Sequence, residues 1–211
     1  MKLYGYFRSS AAWRLRIALA LKGLAYDNVF RHLRKGEQRD PAYLALNPQG
    51  LVPTLQLDDG TVLTQSLAIL EWLEETHPEP AILPKTPLER AAARAFALAI
   101  ACEIHPVQNL KVLSRLRKEV GYDDARVNAW AAEVNDEGLQ ACEALVAKRP
   151  GRFLFGEAPT IAEICLVPQL GNARRFGVDV SRFPRLLAAE AAAMELAAFA
   201  ETAPQRQPDA E

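Results

Sequence analysis

Arg8-Ser9-Ser10 stands where a short apolar stretch, residues 2–7, gives way to a helical pattern over Arg14–Lys22. The first N–H groups of a helix lack intrahelical partners, and its dipole is positive at that end. Anions are stabilised there. A thiolate is one, and such a setting can lower a thiol pKa from about 8.5 to roughly 3.5–7.5. A hydroxyl of Ser9 or Ser10 can donate to a sulfur in that position; equally, a serine there simply caps the helix.

Four further groups bear chemistry. Gln65-Ser66 also precedes a helix, so its amides and hydroxyl suit a carboxylate, although capping accounts for it as well. A cis bond at Val52-Pro53 would turn the preceding N–H and C=O outward to pair with an extended peptide, against the usual trans preference. His105 and Asn109 are four apart on what reads as one long helix, hence on one face. They face a cleft or form part of a satisfied core. Arg174-Arg175 end a helix. They complement its negative end, or one of them joins Arg8 in gripping a carboxylate.

The elements that must position these residues fall into two styles. The first portion reads as strand (2–7), helix, strand (Tyr26–Leu33), polar loop, short helix (Pro41–Leu46), hairpin, helix (Leu67–Thr76). Thr54–Leu57 and Val62–Thr64 flank Asp58-Asp59-Gly60, a strong hairpin signal, and Ser66 is placed to cap the helix after it. This makes one small α/β layer structure. The segment "HPEPAILPKTP" carries Pro78, Pro80, Pro84 and Pro87 and reads as a linker. After it the pattern is helical throughout. Thr86-Pro87-Leu88-Glu89 predicts a capping box opening a long helix from Leu88 to about Lys118, bent at Pro106. Further helices are predicted over roughly Ala125–Lys148, from a second capping box at Thr160-Ile161-Ala162-Glu163 to Phe176, and over Leu186–Thr202. The expected domains are residues 1–80 and 88–211, joined by a linker over 81–87.

Composition narrows the functions. A formal net charge of −1 provides no basic field for nucleic acid or an anionic membrane. The three cysteines, Cys102, Cys142 and Cys165, fit no metal-ligand spacing and read as buried small hydrophobes in a reducing compartment. The stretch MKLYGYF is too short and polar-interrupted for a signal peptide. No apolar run reaches the roughly 20 residues of a membrane span. A cytoplasmic protein with no metal is expected.

Together, "YFRSSAAWRLRIALALKG", "ALNPQGLVPTL", "TQSLAILEWLEE", "IHPVQNL" and "CLVPQLGNARRF" followed by "VD" occur in an order and spacing that closely resemble the zeta class of glutathione transferases, the maleylacetoacetate and maleylpyruvate isomerases. The likeness runs from Lys2 to the terminal "RQPD". It implies a thioredoxin-like N-terminal α/β domain, an all-helical C-terminal domain, a homodimer, and glutathione bound at the domain junction. It implies that Ser9 and Ser10 lie near the glutathione sulfur, that Val52 before cis-Pro53 pairs with the tripeptide backbone, and that Gln65 and Ser66 hold the γ-glutamyl end. Gln38 is a weaker match in a loop of variable length. His105 and Asn109 match residues reaching the cofactor from the helical domain, and Arg8 and Arg175 match arginines holding the substrate's carboxylate and oxygen groups.

The resemblance further implies a glutathione-dependent cis–trans isomerase of a small dicarboxylic keto acid, with His105 positioning the sulfur or moving a proton. His105 resembles the maleylpyruvate branch. "QNL", and Leu110-Lys111 where that branch has paired arginines, resemble the maleylacetoacetate branch of tyrosine breakdown, which is the favoured reading. Many zeta enzymes read Ser-Ser-Cys where this chain reads Ser-Ser-Ala, with Ala11, which puts dehalogenation of α-haloacids in doubt. A general glutathione transferase that consumes glutathione is the rival enzyme. A non-catalytic scaffold is the rival of another class, disfavoured by the presence of Ser9, Ser10, Gln65 and Ser66.

Overall fold

Strands β1 (Lys2–Gly5), β2 (Asp27–Phe30), β3 (Thr54–Gln56) and β4 (Val62–Thr64) form one sheet in the order β2-β1-β3-β4 in the computed structural model, which describes residues 1–211. β1 runs parallel to β2, with Tyr4 opposite Val29. It is antiparallel to β3, with Leu3 opposite Leu55. β3 and β4 close the predicted hairpin, Leu55 facing Leu63. A parallel pair needs a crossover, and α1 (Ser10–Leu21) supplies it. Helices α2 (Pro41–Leu46) and α3 (Ser66–Thr76) complete the thioredoxin-like layer. α1 is apolar nearly all round, which is the mark of a buried helix, and Ser10–Leu19 are all buried.

The chain divides into two compact units: Met1–Ile82 together with Met194–Glu211, and Leu83–Ala193. The final segment, read from sequence as part of the helical domain, thus groups with the sheet-containing unit. A buried ion pair ties that unit together. Lys22 Nζ lies 3.2 Å from Glu74 Oε2, and donates to the carbonyls of His77 (2.6 Å) and Pro80 (3.0 Å). Glu74 Oε2 also accepts the Ile82 N–H at 2.9 Å.

The second unit contains α4 (Pro87–Leu98), a π-helical turn over Ala99–Ile104, α5 (Leu110–Lys118), α6 (Asp124–Val146), α7 (Ile161–Arg175) and α8 (Pro184–Met194), whose last residue falls in the first unit; α9 (Ala197–Ala200) belongs to the first. The expected single helix over 88–118 is therefore two helices with an irregular turn between them. The predicted helix over 186–202 is also broken, because Leu196 is extended (φ −87°, ψ 129°). At Thr160 the full capping box forms: Glu163 Oε2 accepts the Thr160 N–H at 2.7 Å, and Glu163 Oε1 accepts that of Leu154 at 2.6 Å. Complete burial nonetheless holds the Glu163 pKa above the usual carboxylate range. At Thr86 only half the box forms. Thr86 Oγ1 accepts from Glu89 N at 3.3 Å, but the Glu89 carboxylate turns to Arg149, 2.8 Å away.

Cys142 and Cys165 are buried as expected, whereas Cys102 is exposed on the π turn. Burial pushes the Cys142 thiol up to about 12. Alkylation of the native protein should therefore consume one thiol rapidly and the other two only after unfolding, as mass spectrometry would count. Lys22→Met should leave Glu74 buried without its cation and cost about 3–5 kcal/mol, read as a lowered urea midpoint.

Candidate active site

Sequence logic placed two hydroxyls at the mouth of α1, and the backbone puts them there. Ser9 is the N-cap, with extended backbone (φ −70°, ψ 116°), and its Oγ accepts the Ala12 N–H at 3.2 Å. The capping reading of Ser9 is thus realised. It does not exhaust the hydroxyl, which can accept and donate at once, so its hydrogen remains available to an anion. Ser10 begins the helix and is buried, and no acid stands in the first turn to offset the positive helix end. Arg8 precedes them, half-buried, its guanidinium 5.5 Å from the Phe7 ring centroid.

The start of α3 departs from expectation. Gln65, not Ser66, occupies the N-cap position, with φ 67°, and makes no side-chain cap hydrogen bond; Ser66 is the first helical residue. The first amides of α3 are therefore left without a side-chain acceptor. Behind them lies a residue the sequence reading passed over. Arg14 of α1, buried, donates from Nη1 to Ser66 Oγ at 3.3 Å, while its Nε and Nη2 are buried without hydrogen-bond partners. The available signal was an arginine on a helix too apolar to have a solvent face. Gln49, also not anticipated, accepts from Gln65 Nε2 at 2.8 Å.

Val52-Pro53 is cis and leads directly into β3. The loop before it is braced from below. Tyr43 Oη donates to the Leu51 carbonyl at 2.6 Å, and Asn47 Nδ2 bonds the same carbonyl at 2.9 Å and Thr54 Oγ1 at 3.0 Å. Gln38 lies in a short 3₁₀ turn (Glu37–Arg39); its Nε2 donates to Leu33 O at 3.3 Å, and its Oε1 is buried without a partner.

In the second unit, His105 and Asn109 do not share a helix face. Pro106 lacks the N–H that would continue the helix. The backbone widens into the π turn, with His105 N bonding Ile100 O at 2.9 Å, and Asn109 restarts the chain as the N-cap of α5. Its Oδ1 accepts from Lys111 N (3.0 Å) and Val112 N (3.2 Å). Two contacts fix this turn: Trp130 Nε1 donates to Val107 O at 3.1 Å, and Gly138 lets Ile104 press on α6, where a Cβ would stand 2.3 Å from Ile104 Cγ1. Of the two arginines ending α7, Arg174 forms a two-pronged pair with Glu190. Arg175 is exposed, 4.8 Å from the ring centroid of Phe176, which itself packs on the Leu113, Val127 and Ala131 cluster.

Comparison with known proteins matches residues 8–76 to the glutathione S-transferase N-terminal domain and residues 124–189 to the glutathione S-transferase C-terminal domain. A maleylpyruvate isomerase of Ralstonia sp is 49% identical, with 99% of each chain covered. The holo structure of a maleyl pyruvate isomerase, a bacterial glutathione S-transferase of the zeta class, superposes with a TM-score of 0.97 at 48% identity over 100% of both chains. The chain belongs to the zeta-class glutathione S-transferases. A maleylacetoacetate isomerase of Methylobacterium extorquens, solved with bound malonate and glutathione, also superposes with a TM-score of 0.97, at 40% identity over 100% of both chains.

For this zeta-class chain, the role of Asn109 as a helix cap can be separated from any contact with a ligand. Asn109→Ala should lower stability by about 1 kcal/mol and Asn109→Asp should restore most of it, because either side chain caps; thermal unfolding checks both.

Proposed function

We propose that this chain is a glutathione-dependent cis–trans isomerase of maleyl keto acids. The observation that carries the reading is the first turn of α1. The Ser9 hydroxyl and the positive end of a helix with no acid in its first turn would face an anion bound there, and Ala11 leaves that turn without a protein thiol. Zeta-class relatives named maleylpyruvate and maleylacetoacetate isomerase support it.

The residues suit glutathione. A carboxylate at the α3 N-terminus would meet free first-turn amides, the Ser66 hydroxyl and the two unpartnered N–H-bearing nitrogens of Arg14. Val52 offers backbone groups ahead of the first paired residue of β3. Gln65 would hold the γ-glutamyl end with Ser66, Gln38 would contribute its buried Oε1, and His105 and Asn109 would serve the same ligand from the helical unit. Bound glutathione supplies a thiolate whose reversible addition makes the double bond single, allows rotation, and regenerates both the trans alkene and the cofactor on expulsion.

The protein's own tasks are electrostatic. Ser9, Ser10 and the α1 amides hold negative charge at the sulfur position by donating to it. Arg8 and Arg175 neutralise the substrate's carboxylate and the charge that develops on its ketone oxygen, the kind of preorganised stabilisation that usually dominates catalysis. His105 positions the sulfur or moves a proton. A homodimer in the cytoplasm accords with the family.

Purified protein should isomerise maleylacetoacetate and maleylpyruvate only with added glutathione and at constant total thiol, with the higher kcat/KM on maleylacetoacetate. Net thiol consumption would indicate a conjugating transferase instead. Arg8→Ala and Arg175→Ala should each lower kcat by roughly 10²–10³-fold with little change in glutathione affinity; full turnover in both variants would remove them from the mechanism.

A further inference from the structure

Residues Tyr6–Ser9, which turn the chain from β1 into α1, make one internal backbone bond, Ser9 N to Tyr6 O at 3.0 Å. The peptide groups of Phe7 are held from outside the turn. Its N–H donates to Asp209 Oδ2 at 2.9 Å, across 202 residues of sequence, and its carbonyl accepts from Arg16 Nη2 at 2.9 Å. Arg16, itself buried, also donates from Nε to the carbonyl of Thr202 at 3.0 Å, and Trp13 Nε1 donates to Thr202 Oγ1 at 3.2 Å. Helix α9, just before Thr202, packs on α1. The other carboxylate oxygen of Asp209, Oδ1, is buried without a hydrogen-bond partner. Burial lowers the Arg16 pKa to about 10, and the fields of Tyr26 and Asp209 partly oppose that fall.

We propose that Asp209 is a positioning residue for catalysis: Asp209 on the N–H side and Arg16, itself anchored on Thr202, on the carbonyl side clamp Phe7 and so hold Arg8, Ser9 and Ser10 where the anion must sit. The two residues that follow Phe7 are the arginine and the capping serine, so a slip of the Phe7 peptide plane moves both. Nothing in the β-ladder resists that slip, because β1 ends at Gly5. The carboxylate is suited to the task. It accepts the Phe7 N–H with a charge-assisted bond, and its charge faces Arg16, whose other bonds complete the clamp. This role rests on the isomerase reading for its catalytic consequence, but not for its structural one.

The test uses the full chain with Asp209→Ala, Asp209→Asn and, as a control on the same segment, Arg206→Ala, whose partner Glu201 is at the surface. Asp209→Ala should lower kcat by roughly 10–100-fold while leaving the KM for glutathione nearly unchanged, and should raise the pKa of the bound thiol, read from thiolate absorbance. Amide hydrogen exchange should speed up at Phe7 through Ala11 in the same variant. Asp209→Asn keeps an acceptor oxygen and should recover most of the turnover and of the protection; Arg206→Ala should match the parent protein. Faster exchange confined to residues 203–211, or a lowered melting temperature with kcat and the thiol pKa unmoved, would overturn the proposal. Should the parent protein show no thiol-dependent isomerisation, the functional reading falls, while the exchange at Phe7–Ala11 still judges the clamp.

Discussion

A helix that begins at Ser10 leaves its first amides with no carbonyl one turn earlier to accept them. Ser9 Oγ takes the Ala12 N–H, and no acid in the first turn neutralises the positive end that remains. Around this point the first unit is arranged. The sheet delivers the chain to it through β1, the crossover helix carries it away, and Arg8 stands one residue before the cap. An anion there replaces water with fixed donors, and the donors need no reorganisation to receive it.

Holding such a point open requires α1 to be immobile, and the helix achieves this by being buried on almost every side. Burial brings two arginines inside. A guanidinium taken out of water is destabilised unless its donors find acceptors, and the two meet this demand differently. Arg16 spends its donors on the Phe7 and Thr202 carbonyls, and burial still lowers its pKa to about 10. Arg14 has Ser66 Oγ and two nitrogens without partners. The first arginine is committed to structure; the second keeps donors in reserve beside the uncapped start of α3.

Much of this was legible in the chain itself. The Asp58-Asp59-Gly60 turn, the apolar β1, the capping box at Thr160 and the Ser-Ser junction are local signals, each set by residues within a few positions of one another. Helix breaks were less legible. The stretch 88–118 has helical periodicity throughout, yet Pro106 cannot donate and Asn109 caps better than it continues, so two helices form where periodicity alone argues for one. Cys102 looked like its two buried counterparts because its neighbours in sequence are apolar; its exposure depends on the face of the π turn it occupies. The N-cap position of α3 likewise falls at Gln65, one residue before the expected Ser66, since a positive φ at a glutamine leaves no local sequence mark.

Residues close together in the chain thus set the short-range features: the strand–helix order, most of the caps, the hydroxyls at the mouth of α1, and the family to which those motifs belong. That Arg14 stands behind Ser66, and that a carboxylate at position 209 holds the amide of residue 7, follows from long-range packing alone. The reason is physical. Hydrogen bonds between groups 52 or 202 residues apart depend on where the packed sheet and helices bring the backbone, and no periodicity in the chain encodes that distance.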